Sequence, residues 1–186
     1  PDDKKELFDG LPDEYSRLYM AIENELAAVI CIEDPIREEA ADIIKKLKEA
    51  GIKKAVMMTG DSERTAKAVA AKIGVDEYYS EVLPEDKAKF VEKEKSLGHK
   101  VIMVGDGIND SPALSASDVG IAISDGAELA REIADVTVEG NDLYELVALK
   151  HISNALMKRI HKNYRMIMGI NSTLIVLGVA GIIPPT

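Results

Sequence analysis

The most constraining feature of the sequence is a rhythm of short apolar runs rich in Val and Ile, at 27–32, 55–58, 101–104, 119–123 and 136–138, separated by amphipathic helical patterns. Buried strands of a parallel sheet read as short apolar runs, and the segments between them return the chain along the sheet's faces as crossover helices. The predicted fold class is therefore α/β with a parallel sheet. The helices carry their own punctuation. One spans 37–50 and stops at Gly51, and another spans 63–73 between the capping candidate Ser62 and Gly74. A third spans 85–97, begins after Pro84, ends at Gly98 and places Lys93 and Lys95 in its last turn, where the helix dipole favours cations.

Ligands of open parallel sheets bind beyond the carboxyl ends of the strands. Acids, hydroxyls and glycines collect at those ends: Glu33-Asp34-Pro35, Thr59-Gly60-Asp61, Gly105-Asp106-Gly107 and Ser124-Asp125-Gly126. So many carboxylates on one edge would repel one another unless they shared a cation, and hard oxygen donors without Cys or His point to Mg2+. The densest segment is Gly105-Asp106-Gly107-Ile108-Asn109-Asp110-Ser111-Pro112. Its glycines permit close backbone approach. Asp106 is the candidate direct metal ligand, Asp110 a supporting one, and Asn109 a donor to a phosphoryl oxygen.

Thr59 and Gly60, with Asp61 next to them, offer a hydroxyl and a backbone amide at a helix N-terminus, a suitable place for an anion. Lys87 falls in the first turn of the helix opened by Pro84-Glu85-Asp86, where the macrodipole disfavours a cation; its presence there suggests an anionic ligand whose charge it neutralises. Asp34-Pro35-Ile36-Arg37 reads equally well as a capped helix start and as a hinge at the edge of the site. His99, His151 and His161 have no carboxylate or Cys partner at triad spacing and read as surface residues.

The balance of 23 basic against 33 acidic residues, net −10, argues against a nucleic-acid backbone as the main partner. Cys31 is the only cysteine, so neither a disulfide framework nor a Cys/His zinc cluster is available, which fits a reducing, cytosol-facing domain. Composition changes after about Asn141. A long helix-forming stretch gathers Lys158, Arg159, Lys162 and Arg165, and then 166–183 runs without a charge. That run is a membrane-span candidate, and the basic residues before it predict a cytoplasmic orientation for that end.

Four segments occur in order and at compatible spacing: DPIR from Asp34, TGDS from Thr59, PEDK from Pro84 and GDGINDSPAL from Gly105. Together they resemble the haloacid-dehalogenase-type phosphoryl-transfer fold, and more closely the phosphorylation domain of P-type cation-transporting ATPases. DVGIAI from Asp118 and HISNALMKRIHKNYRMIMGIN from His151 are most similar to the heavy-metal class. The resemblance implies a Rossmann-like parallel sheet followed by a long helix entering a transmembrane segment. It divides the chain into a nucleotide-domain tail (1–24), a phosphorylation domain (25–142), a connecting helix (143–165) and a truncated membrane helix (166–186).

The function implied is ATP-driven movement of a heavy-metal cation across a lipid membrane through an aspartyl phosphate, with Mg2+ as cofactor and the α/β domain cytoplasmic. Thr59, Gly60, Asp61, Lys87 and Asn109 would surround the phosphate, Asp106 and Asp110 would serve the metal, and Asp34 and Arg37 are the candidates for cofactor contact. The family's phosphorylated aspartate stands in an Asp-Lys-Thr-Gly-Thr segment, and these 186 residues contain none. The expectation is that the chain alone is inactive. Two other readings are a membrane-tethered, nucleophile-free protein that binds a phosphate ligand or regulates a pump, and a soluble phosphatase of the same fold.

Overall fold

The computed structural model describes residues 15–23, 25–32, 35–105, 109–123, 132–139 and 142–182. Along them run β1 (Ser16–Ile22), β2 (Glu25–Ile32), α1 (Ala40–Glu49), β3 (Val56–Met58), α2 (Glu63–Ile73), β4 (Glu77–Tyr79), α3 (Pro84–Ser96), β5 (Ile102–Gly105), α4 (Ser111–Ala116), β6 (Val119–Ile123), β7 (Val136–Val138) and α5 (Tyr144–Val179). The chain divides into two compact units, Pro1–Leu146 and Val147–Thr186.

In the first unit the strands form a parallel pair, β3–β4, and a parallel triplet in the order β5–β6–β7. The expected parallel α/β architecture is present, with one correction. Among the described residues the run at 27–32 does not join the parallel strands: β2 pairs antiparallel with β1 in a hairpin that turns at Glu23, φ +51. A short apolar run is compatible with either sheet, and only its partner decides. That partner, Ser16–Ile22, was not expected, and the hairpin leaves Leu18, Ile22, Ile30 and Ile32 exposed.

The helices follow their local chemistry. Ser62 caps α2, its hydroxyl accepting from the Thr65 amide at 3.4 Å, and Gly74 ends it at φ +74, a left-handed conformation natural to glycine. Helix α1 begins at Ala40 rather than 37, because a turn in which the Ala40 amide donates to the Arg37 carbonyl precedes it. Strand β5 begins at Ile102 rather than 101. The Val101 amide donates to the Asp118 side chain, and the Val101 carbonyl accepts from the Asp118 and Val119 amides.

That last contact belongs to a repeated device. In each case an aspartate just before one strand accepts an amide at the start of its parallel neighbour: Asp76 from Ala55 at 2.7 Å, Asp118 from Val101 at 2.9 Å, and Asp135 from Gly120 at 2.8 Å. These carboxylates fix strand register, and lysines reinforce two of them, Lys48 on Asp76 and Lys100 on Asp118. The backbone donor, followed by the lysine, holds each of these two carboxyls below the ordinary aspartate value of 3.8.

The core under the site is small. Val91, Met103, Ala113 and Leu114 are buried together, with Met58, Val101, Ala116 and Ile133 packed against them. Met58 of β3 and Met103 of β5 thus share one core, yet their strands belong to different sheets. Among the described residues β3 pairs only with β4 and β5 only with β6, so each keeps one unpaired edge. On β5 the side chains of Ile102 and Val104 are exposed, at 44% and 38%.

At the start of α5, the Tyr144 hydroxyl donates to Asp42 of α1 at 2.8 Å, and the Lys46 ammonium lies 4.7 Å from the Tyr144 ring centroid. In the second unit, no helix among the described residues is long and apolar enough to cross a membrane. The charge-free part of α5, 166–179, rises about 21 Å, against a hydrocarbon core of about 30 Å. The last residues of the expected span, 183–186, lie outside the described residues.

Because folding lowers the Asp76 and Asp118 pKa values, the unfolded chain protonates first as pH falls. Their contribution is complete at neutral pH, declines as pH nears 3.8 and is lost as pH drops through the lower folded values. Urea midpoints of the double variant D76N/D118N should therefore fall less steeply than those of the parent chain between about pH 6 and pH 3. Parallel curves would show that the two carboxylates do not support the strands.

Candidate active site

Thr59, Gly60 and Asp61 form the turn that leaves β3. The Thr59 hydroxyl donates to the Asp61 carboxylate at 2.7 Å and accepts the Asp61 amide at 3.1 Å, a local side-chain turn of the kind Thr and Asp favour. Gly60 is exposed, and a Cβ there would meet only the Val82 carbonyl, at 4.0 Å. The turn is fastened to the next loop: the Val82 amide donates to the Thr59 carbonyl at 3.0 Å and the Glu81 amide to the Asp61 carbonyl at 2.9 Å. Glu81 has φ +53, a conformation costly for a side chain of its size.

That loop delivers Lys87. Leu83 caps α3, its carbonyl accepts the Lys87 amide, and the Lys87 ammonium donates to Asp110 Oδ1 at 2.7 Å. The two side chains are only 15% and 12% exposed. Low exposure strengthens such a charge-assisted bond relative to a surface pair, and leaves either partner costly to remove alone. Asp110 also lies against the end of β5. A Cβ on Gly105 would collide with the Asp110 carboxylate and stand 2.7 Å from its Cβ, so glycine is required for the backbone to pass so close.

The chain thus links Thr59, Gly60 and Asp61 through the 81–83 loop to Lys87, and Lys87 directly to Asp110. Asn109 precedes Asp110 and is exposed; Arg37 is exposed in the turn before α1. The candidates Asp34 and Asp106 lie outside the described residues. Among the described residues no group of three or more His, Cys, Asp or Glu is close enough to hold a metal. Asp61 accepts a hydrogen bond from the Thr59 hydroxyl, and Asp110 is paired in charge with Lys87.

Residues 2–118 match the haloacid dehalogenase-like hydrolase family. The chain belongs to that family. Among curated proteins it is 40% identical over 169 residues to a manganese-exporting P-type ATPase of Mycobacterium leprae, covering 90% of this chain and 23% of the relative. It is 42% identical over 170 residues to copper-transporting ATPase 2 of Rhizobium meliloti, covering 91% and 20%. The crystal structure of a zinc-transporting PIB-type ATPase in its E2.Pi state superposes with a TM-score of 0.80 at 32% identity, covering 98% of this chain and 30% of that one. The chain therefore spans between a fifth and a quarter of the length of these curated relatives.

Within this haloacid dehalogenase-like domain, sequence reasoning missed the supports of the turn formed by Thr59, Gly60 and Asp61. Glu63, in the first turn of α2, accepts from the Tyr78 hydroxyl at 2.7 Å and the Ser80 hydroxyl at 2.6 Å, tying the helix to the loop behind Gly60. The Ser80 and then the Tyr78 hydroxyl hold the Glu63 carboxyl below its ordinary value. No local signal in the sequence marks Glu63 out, since an acid in the first turn of a helix is ordinary dipole compensation.

Removing one partner of the Lys87–Asp110 pair should expose the cost of the other. Lys87→Met and Asp110→Asn are each expected to destabilise the fold by about 2–3 kcal/mol, with the double variant losing clearly less than the sum. Gly105→Ala should act like Asp110→Asn by displacing the carboxylate, whereas Gly60→Ala should stay within about 0.5 kcal/mol of the parent. Additive losses at Lys87 and Asp110 in chemical denaturation would contradict the pairing.

Proposed function

We propose that this chain is the phosphate- and Mg2+-binding part of the catalytic site of a heavy-metal P-type ATPase, in which an aspartate supplied by another part of the pump accepts the phosphoryl group of ATP. One observation carries the reading. Two parallel sheets share a core, each offers a strand edge that is unpaired among the described residues, and the strands at those edges lead directly into the phosphate candidates after β3 and the acidic segment after β5. A single parallel strand entered between them would complete the sheet and bring its own carboxyl end among Thr59, Gly60, Lys87 and Asp110. The similarity to manganese-, copper- and zinc-transporting pumps supports the pump context without choosing among metals.

In this reading the Thr59 hydroxyl and the Gly60 amide bind phosphoryl oxygens, for which Thr59 releases Asp61. The Lys87 ammonium neutralises charge that builds on the transferring group, with Asp110 holding it in place, and Asn109 donates to a further oxygen. The donors suit a hard divalent cation: Lys87 engages one oxygen of Asp110, and the other lies against the Gly105 backbone, next in sequence to Asp106. Asp106 and Asp110 would hold the Mg2+, which when bound supplies positive charge to the phosphoryl oxygens. Asp34 and Arg37 would lie at the hinge edge, toward the nucleotide. Without the nucleophile the chain by itself neither forms a phosphoenzyme nor turns over ATP.

The remaining parts fit the same pump. The β1–β2 hairpin, with apolar side chains exposed, reads as the end of an inserted nucleotide-binding domain. Helix α5 reads as the connection to the membrane, and the charge-free run from Met166 as part of a membrane segment completed by neighbouring helices, with the α/β unit on the cytoplasmic side.

In a full-length pump carrying this segment, Asp106→Ala should abolish Mg2+-dependent phosphoenzyme formation from ATP, a loss of at least about a hundredfold for a direct metal ligand. Normal phosphoenzyme levels in that variant would overturn the assignment.

A further inference from the structure

Charge is segregated along this chain. Its net charge is −10, yet from Leu146 onward it has Lys150, Lys158, Arg159, Lys162 and Arg165 and no acidic residue. That segment contributes +5, leaving −15 on the rest. The basic residues of α5 are also ordered in space. Positions 158, 162 and 165 recur at helical spacing on one side, and Lys158, His161, Lys162 and Arg165 line one shallow, open groove with Asn154 and Met157. The His161 Nδ1–H donates to the Met157 carbonyl at 2.7 Å, which holds the imidazole against the helix within that groove. Ile152, Leu156 and Ile160, placed about half a turn away, expose apolar side chains at 66%, 55% and 49%. Arg165 is followed at once by the charge-free run from Met166.

We propose that the stripe formed by Lys158, His161, Lys162 and Arg165 binds the phosphate-bearing head groups of anionic lipids. A helix with a basic face opposite an apolar one, passing directly into an uncharged segment, places its cations at the depth where lipid phosphates lie. No acidic side chain in the segment competes for them. The remainder of the chain, at −15, is on balance repelled by such a surface. The proposal rests on the membrane reading above and adds to it a requirement for lipid charge: the membrane would be sensed through its phosphates as well as its hydrocarbon, on the side that bears the catalytic unit.

The test uses the full 186-residue chain, diluted from detergent into vesicles of neutral phosphatidylcholine or of the same lipid with about 30 mol% phosphatidylglycerol, followed by flotation. Each basic side chain near an anionic surface is worth about fivefold in partitioning, so K158Q/K162Q/R165Q should reduce the preference for anionic vesicles by about a hundredfold. The control K45Q/K53Q/K67Q makes the same change in net charge on the catalytic unit and should keep that preference. Raising salt from about 0.1 M to 0.5 M should mimic the stripe variant. Equal binding of the parent chain to both vesicles, or equal losses in both triple variants, would overturn the stripe while leaving the membrane reading intact. Failure to bind either vesicle would overturn the membrane reading and the stripe with it.

Discussion

Lys87 stands in the first turn of a helix, where the dipole repels a cation, and Asp110 holds it there from 2.7 Å with both side chains mostly withdrawn from solvent. Much of the site's order follows from this pair. Asp110 can reach Lys87 only because Gly105 has no side chain, which sets how β5 ends. Lys87 can reach Asp110 only because the 81–83 loop, bonded to Thr59 and Asp61, starts α3 at the right place. The helix that carries Lys87 also buries Val91 against Met103 and Leu114, so charge and core are aligned by one element.

The same arrangement leaves a parallel sheet in two pieces. Aspartates fix the register within each piece, and the shared core holds the pieces together, but β3 and β5 each keep an unpaired edge among the described residues. Unpaired amides and exposed Ile102 and Val104 side chains are a liability in an isolated domain and a natural seat for another strand. The chain matches between a fifth and a quarter of the length of the manganese- and copper-transporting ATPases it is similar to, and under the proposed reading the strand for that seat comes from another part of such a pump.

Strands at 119–123 and 136–138 and the helix at 63–73 were legible because their signals are local: β-branched runs, a serine cap, a terminal glycine. The partner of 25–32 was not legible, since an apolar run does not say whether its neighbour is parallel. Strand β4, Glu77–Tyr79, was missed because three residues with an acid among them carry no period. At the site, Lys87 was found through its unfavourable place on a helix. Its bond to Asp110, the strained Glu81 and the Glu63 support depend on contacts between distant residues, which no local pattern encodes.

The most direct measurement is amide hydrogen exchange, comparing this chain with a longer one that also contains the Asp-Lys-Thr-Gly-Thr strand. If that strand enters between β3 and β5, the amides of those two strands that exchange rapidly in the short chain should become strongly protected, while β4, β6 and β7 change little. Unaltered exchange at β3 and β5 in the longer chain would contradict the proposal that the site is completed by a central strand from outside these 186 residues.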